Sequence, residues 1–166
     1  MENNHHWMTE EEYKLVTEKT PIPTVDLVIL RQSQNKNLET LLIRRKTGYE
    51  KGKWCIIGGR QWKNETLMET IERQAADLEI KVEIMKPFDP NFPALVNDHP
   101  NQDETKQPTC IVYPVIITEG SVRDEGEEYK GYQWFPVNEL PEEIAYDHRF
   151  EITQTLERVE KLKTFT

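Results

Sequence analysis

The segment from Trp54 to Glu79, WCIIGGRQWKNETLMETIERQAADLE, constrains the fold more than any other part of the chain. A short apolar run ends in Gly58-Gly59, a polar loop follows, and helical periodicity begins at Glu65. Adjacent glycines at the end of a strand mark a place where backbone approaches another group closely or turns with positive φ. Leu67, Ile71, Ala75 and Leu78 recur on one stripe, so the spacing predicts a helix over 65–77 or slightly beyond. A helix placed after such a loop points its first N–H groups at whatever the loop holds, and that arrangement suits phosphate.

The flanking segments predict a sheet built around this unit. Thr9 and Glu12 form a T-x-x-E capping box that opens a helix over 9–20, which Pro21 and Pro23 stop. Residues 24–31 read as a strand whose near-continuous apolarity suits burial on both faces. Residues 40–45 read as its hairpin partner. Further strands are expected over 81–85, 109–118 and 129–135. Residues 87–108 read as one long polar loop, and 141–145 as a short helix. A last helix over 147–163 is expected to bury Phe150, Ile152, Leu156 and Val159. With no internal repeat and no linker, this is one α/β (or α+β) domain over 1–166, with a mixed sheet covered on both faces by helices. Residues 1–8, with the adjacent pair His5-His6, read as a flexible tip rather than a chelating site.

Charge and apolar patterning exclude several classes. Twenty-one Lys and Arg stand against 30 Asp and Glu, a formal net charge of -9. Such a chain repels phosphate polymers and anionic bilayers, so neither a nucleic-acid polymer nor a membrane is an expected partner. The longest apolar stretches, 27–30 and 110–117, are far short of a bilayer span. The opening MENNHHWMTEEEYK lacks the apolar core of a signal peptide, so a soluble, cytoplasmic protein is expected. Cys55 and Cys110 sit in apolar runs and read as buried thiols.

Gly59, Glu65 and Arg73 stand in the spacing G-x5-E-x7-R. This resembles the Nudix hydrolase family, whose signature continues with R-E-U-x-E-E-x-G-U, U being a bulky apolar residue. The remainder departs from that pattern: Gln74 replaces the first Glu, Asp77 and Leu78 replace the Glu pair, and Ile80 replaces the last Gly. One branch with a degenerate box, the GDP-mannose mannosyl hydrolases, resembles this chain over most of its length. The likeness lies in the strand carrying Asp26, the stretch LLIRRKTG, the GGR-x4-ETL unit and the segment EEYKGYQWF. The resemblance implies an α/β/α sandwich with a mixed sheet. It also implies hydrolysis of a nucleoside diphosphate linked to a sugar or similar group, with Mg²⁺ or Mn²⁺, and a possible homodimer.

The resemblance assigns roles to particular positions. Gly59, Glu65 and Arg73 would fix the geometry between loop and helix. Arg45 and Arg60 would clamp the diphosphate, since two guanidinium groups can bind it bidentately. Arg44 would lie on the opposite strand face. The metal ligands would be the Gly58 carbonyl, Asp77 and Glu128. Leu78 falls at the family's Glu ligand and cannot coordinate, while Glu128 falls at a Gln ligand. At about 100° per residue, Arg73, Gln74, Asp77 and Leu78 share the arc on which the family's box places its carboxylates. Glu69, Glu72 and Glu79 fall on another face and read as solvated. Asp26, a lone carboxylate in an apolar strand, is either part of the chemistry at the sugar or half of a structural ion pair. The family's His base falls on Tyr129, a poor base at neutral pH. His99 in the long loop is an alternative base, and His148 reads as a surface or helix-start residue. Two functions therefore stay open: a hydrolase, or a nucleotide-binding module that keeps the Arg clamp after its catalytic groups have decayed. Trp7 and Tyr13 could either form a dimer interface or cover a core edge.

Overall fold

The structure, a computed structural model, describes residues 8–98 and 105–163. Its elements run in the order α1 (Glu10–Lys19), β1 (Ile22–Gln32), β2 (Leu38–Arg45), β3 (Trp54–Cys55), β4 (Ile57–Arg60) and α2 (Leu67–Asp77), followed by β5 (Ile80–Ile84), β6 (Leu95–Asn97), β7 (Pro108–Gly120), β8 (Tyr129–Pro136) and α3 (His148–Lys163). His5, His6, Trp7 and His99 lie outside the described residues.

β1 is the central strand because it is apolar on both faces. It pairs antiparallel with β2 and with β4, and parallel with β7. The path β3-β2-β1-β7-β5 is completed by β4 on β1, β6 on β7 and β8 on β2. The result is one mixed eight-stranded sheet. The period-2 geometry of β1 divides the interior in two. Val25, Leu27 and Ile29 face a cluster with Ile71, Ala75 and Leu78 of α2. Val28 and Leu30 face a cluster with Ile152 and Leu156 of α3. Asp26 has the parity of the second face, so a carboxylate takes a place there that apolar neighbours would otherwise fill.

Local chemistry sets the helix boundaries. The Thr9 side chain accepts from the Glu12 amide at 3.2 Å, and a Glu12 carboxylate oxygen accepts from the Thr9 amide at 2.8 Å, the reciprocal pair of a capping box. No residue of α1 is buried. The second helix starts later than Glu65, because Thr66 is its cap: the Thr66 hydroxyl accepts from the Glu69 amide while Glu69 accepts from the Thr66 amide. Glu69 is therefore a capping group as well as a solvated one.

Three other sequence expectations need correction. The 87–108 segment is not loop throughout, since Leu95–Asn97 adds a short antiparallel strand to β7. Residues 141–145 are not helical; Ile144 instead bridges to Trp54 in parallel. Along α3 the buried positions are His148, Glu151, Ile152, Thr155 and Val159, whereas Phe150 is half exposed. The stripe runs 148, 152, 155, 159, rotated away from Phe150 and toward polar residues that an apolar count does not register.

Candidate active site

A cavity of about 860 Å³ opens beside the middle of β1. Asp26, Arg45, Gly58 and Gly59 line it from the sheet, and Arg60 and Trp62 from the loop that follows. Arg73, Gln74 and Asp77 reach it from α2, Glu127, Glu128 and Tyr129 from the start of β8, and His148 from the start of α3. Met8, Glu10 and Tyr13 form part of its rim. Every site residue expected from the sequence and described here therefore borders this cavity, apart from Glu65, which supports it from behind.

The glycine pair marks close approach, not positive φ. A Cβ on Gly58 would fall 1.7 Å from Asp26 Oδ1, and one on Gly59 2.6 Å from Gln74 Nε2. Gly58 thus leaves the space that the Asp26 carboxylate fills, across the β1–β4 pair in which the two residues are register partners.

Glu65 and Arg73 lock the loop to the helix. Arg73 donates through Nε at 2.6 Å and Nη2 at 2.9 Å to the two Glu65 oxygens, and Nη2 also donates to the Arg60 carbonyl at 2.9 Å. Glu65 further accepts from the Trp62 amide and the Thr70 hydroxyl. The Arg73 hydrogen bonds, foremost among these partners, hold the Glu65 carboxyl down at about 2. The Arg73 guanidinium stacks 3.9 Å from the Trp62 ring centroid.

The two arginines of the expected clamp occupy different parts of the cavity. Arg45 Nε donates to the Tyr49 carbonyl at 3.0 Å, and its guanidinium lies 5.1 Å from the Tyr146 ring. Arg60 lies 5.5 Å from the Tyr13 ring and next to Met8, at the α1 rim. Arg44, on the other face of β2, is exposed and donates to the Gly52 carbonyl.

The box arc splits into a core half and a cavity half. Leu78 is fully buried in the core, and Gln74 is buried against Gly59. Asp77 opens to the cavity; burial first, then the Glu127 and Glu128 charges, raises its pKa against the pull of Arg73 and Arg123. Asp77, Glu128 and Gly58 border the same cavity, and each can offer only oxygen to a ligand there. Tyr129 is buried, its hydroxyl donates to the Arg123 carbonyl at 2.9 Å, and burial raises its pKa, so it stands as a neutral phenol.

At one side of the cavity is a grouping that the sequence reading did not foresee, joining Asp26 to His148 and Glu151. Asp26, His148 and Glu151 are all buried, and one ligand-capable atom from each lies within 4.8 Å of the others. Burial raises both carboxyls, Glu151 further through the Asp26 charge, and burial holds the His148 imidazole neutral, at about 3. Asp26 is also drawn down by Cys110, Lys106 and Thr24. His148 heads α3, as expected, but it faces inward. The spacing of four between His148 and Ile152 was the available signal, as was the spacing of three between His148 and Glu151. Lys106 was hidden in a segment without periodicity. Cys55 and Cys110 are buried thiols, and burial pushes both up, Cys55 to about 12.

The comparisons with known proteins agree with this architecture. The family model described as NUDIX domain matches residues 20–156. The chain belongs to the Nudix family, and the three helices and mixed sheet of the described residues are the Nudix fold. Among solved structures, the NUDIX domain of Shewanella oneidensis NrtR complexed with ADP ribose has a TM-score of 0.67 at 22% identity, over 92% of this chain and 99% of that one. A MutT/nudix family protein from Enterococcus faecalis has a TM-score of 0.69 at 19% identity, over 94% and 76%. A UDP-X diphosphatase has a TM-score of 0.69 at 18% identity, over 93% and 73%. No curated protein matches the chain. No helix among the described residues is long and apolar enough to cross a membrane.

Proposed function

We propose that the chain is a hydrolase of nucleoside diphosphates linked to a sugar or similar group, GDP-mannose-like in chemistry, with cleavage at the sugar carbon. The observation that carries this reading is that Arg45, Arg60, Asp26 and Asp77 all line one cavity, which also takes in the Gly58-Gly59 segment of β4. Two always-charged guanidinium groups suit a diphosphate, and they take up the charge it gains as a leaving group. Asp77 and Glu128, with the Gly58 carbonyl, would hold a divalent ion, which supplies further neutralisation of the diphosphate. Water attacks the sugar C1, the C1–O bond breaks, and the nucleoside diphosphate leaves with the bonding pair. Asp26 sits at the cavity floor with a carboxyl raised by burial, which suits a group that accepts the proton of the attacking water near neutral pH. Tyr129 lines the wall as a neutral phenol whose one proton is committed to the Arg123 carbonyl, which suits a neighbour of the substrate and not a base. Two solved neighbours carry a nucleoside diphosphate in their names, one bound to ADP ribose and one a UDP-X diphosphatase, which supports the ligand class and not the choice of bond.

The replacement of a box Glu by the core residue Leu78 favours a second reading, a nucleotide-binding module without turnover. Both readings require the clamp. In calorimetric titrations with GDP-mannose, Arg45→Ala and Arg60→Ala are each expected to weaken binding by about tenfold or more. Unchanged affinity in both variants overturns the clamp and both readings with it.

A further inference from the structure

Glu151 belongs to a helix whose neighbouring buried positions are Ile152, Thr155 and Val159, yet its carboxylate is 0% exposed. One of its oxygens accepts from Asn97 Nδ2 at 3.0 Å, which fixes the orientation of the carboxylate. The other oxygen, Oε2, is buried with no hydrogen-bond partner, and so is His148 Nδ1, one helical turn earlier. Unpartnered polar atoms in an interior cost free energy unless something satisfies them. Here they occur in two residues that, with Asp26, bring ligand atoms within 4.8 Å of one another. These are one imidazole nitrogen and two carboxylates, and the side chains of Asp26 and His148 border the cavity.

We propose that Asp26, His148 and Glu151 form a binding site for a transition-metal dication of the zinc class, separate from the oxygen-only ligands Asp77 and Glu128. An ion there would use the lone pairs now without partners. The imidazole nitrogen selects zinc, cobalt or nickel over magnesium, calcium and manganese. Three protein ligands would leave a tetrahedral ion one further position, as in zinc sites that bind a small ligand. Asn97, bonded to Glu151, is the outer partner that holds a ligand in place. The inference goes beyond the proposed hydrolysis and does not depend on it, although an ion on Asp26 and a proton on Asp26 exclude each other.

The test is calorimetric titration of chelator-treated full chain with Zn²⁺, repeated with Co²⁺ and read by visible absorption. One equivalent is expected to bind with a Kd of about 10 µM or tighter. Glu151→Gln keeps the volume and an acceptor for Asn97, and it is expected to weaken binding by about tenfold or more, as is His148→Ala. A variant with both His5 and His6 changed to Ala is expected to bind as the parent does. No binding by folded parent protein overturns the proposal. So does binding that survives both Glu151→Gln and His148→Ala, or that disappears with the His5 and His6 substitutions. Nucleotide-sugar turnover plays no part in the readout, so failure here leaves the hydrolase reading standing, and the reverse also holds.

Discussion

Gly58 and Asp26 are register partners across the β1–β4 pair, and the space left by the absent Gly58 side chain is occupied by the Asp26 carboxylate, 1.7 Å from where a Cβ would stand. The relationship ties the glycine pair to the one acidic residue of the central strand. Gly58→Ala must displace that carboxylate from the cavity floor. The expected cost in stability is roughly 1–3 kcal/mol, with loss of any activity that uses Asp26. Thermal unfolding together with turnover checks both parts; a variant that is as stable and as active as the parent shows that the carboxylate has no fixed place there.

The Glu65–Arg73 pair is bidentate and mostly shielded, with side chains 9% and 21% exposed. Glu65→Gln keeps the shape but removes the charge, and is expected to destabilise the fold by roughly 2 kcal/mol. The pH dependence has a definite sign. The folded pKa is about 2, below the ordinary value of 4.5, so the folded state binds fewer protons than the unfolded state in that interval. The contribution is complete above pH 4.5 and is lost as pH falls toward 2. Denaturant midpoints from pH 7 down to pH 3 are expected to fall less steeply for Glu65→Gln than for the parent; parallel curves contradict the assignment.

The resemblance to the Nudix signature sets Leu78 at a metal-binding Glu position, so a simple repair would be Leu78→Glu. The structure argues against it. Leu78 is 0% exposed, in the cluster formed with Val25, Leu27 and Ile71. A carboxylate placed there has no hydrogen-bonding solvent, and the substitution is expected to cost roughly 3 kcal/mol or more instead of strengthening Mg²⁺ binding. A stable Leu78→Glu variant with higher Mg²⁺ affinity would show that the end of α2 turns this position to the cavity.

Much of this organisation was legible in the sequence, for identifiable reasons. The strands around β1 are long apolar runs, and the α1 cap is local chemistry, so period and spacing found them. The register that joins Gly58 to Asp26 was half legible: the glycine pair announced a close approach, but its partner lay 32 positions away, between Asp26 and Gly58. The start of α2 was missed by two residues because Glu65 fits a helix start as well as Thr66 does. The inward turn of α3 was missed because its buried stripe is built from His148, Glu151 and Thr155, which an apolar pattern assigns to solvent. Lys106 and the β6 strand were hidden in a Pro- and Asp-rich segment whose order comes from pairing with β7 rather than from its own propensity.

Phosphorus NMR of the full chain incubated with GDP-mannose and other nucleotide sugars, with Mg²⁺ and with a chelator, tests the central claim most directly. The account predicts the resonances of an intact nucleoside diphosphate, appearing with Mg²⁺ and lost when Asp26 is changed to Asn. Nucleoside monophosphate with sugar phosphate would contradict the choice of bond. Folded protein that binds these nucleotides and leaves every resonance unchanged would contradict hydrolysis itself and establish the binding module.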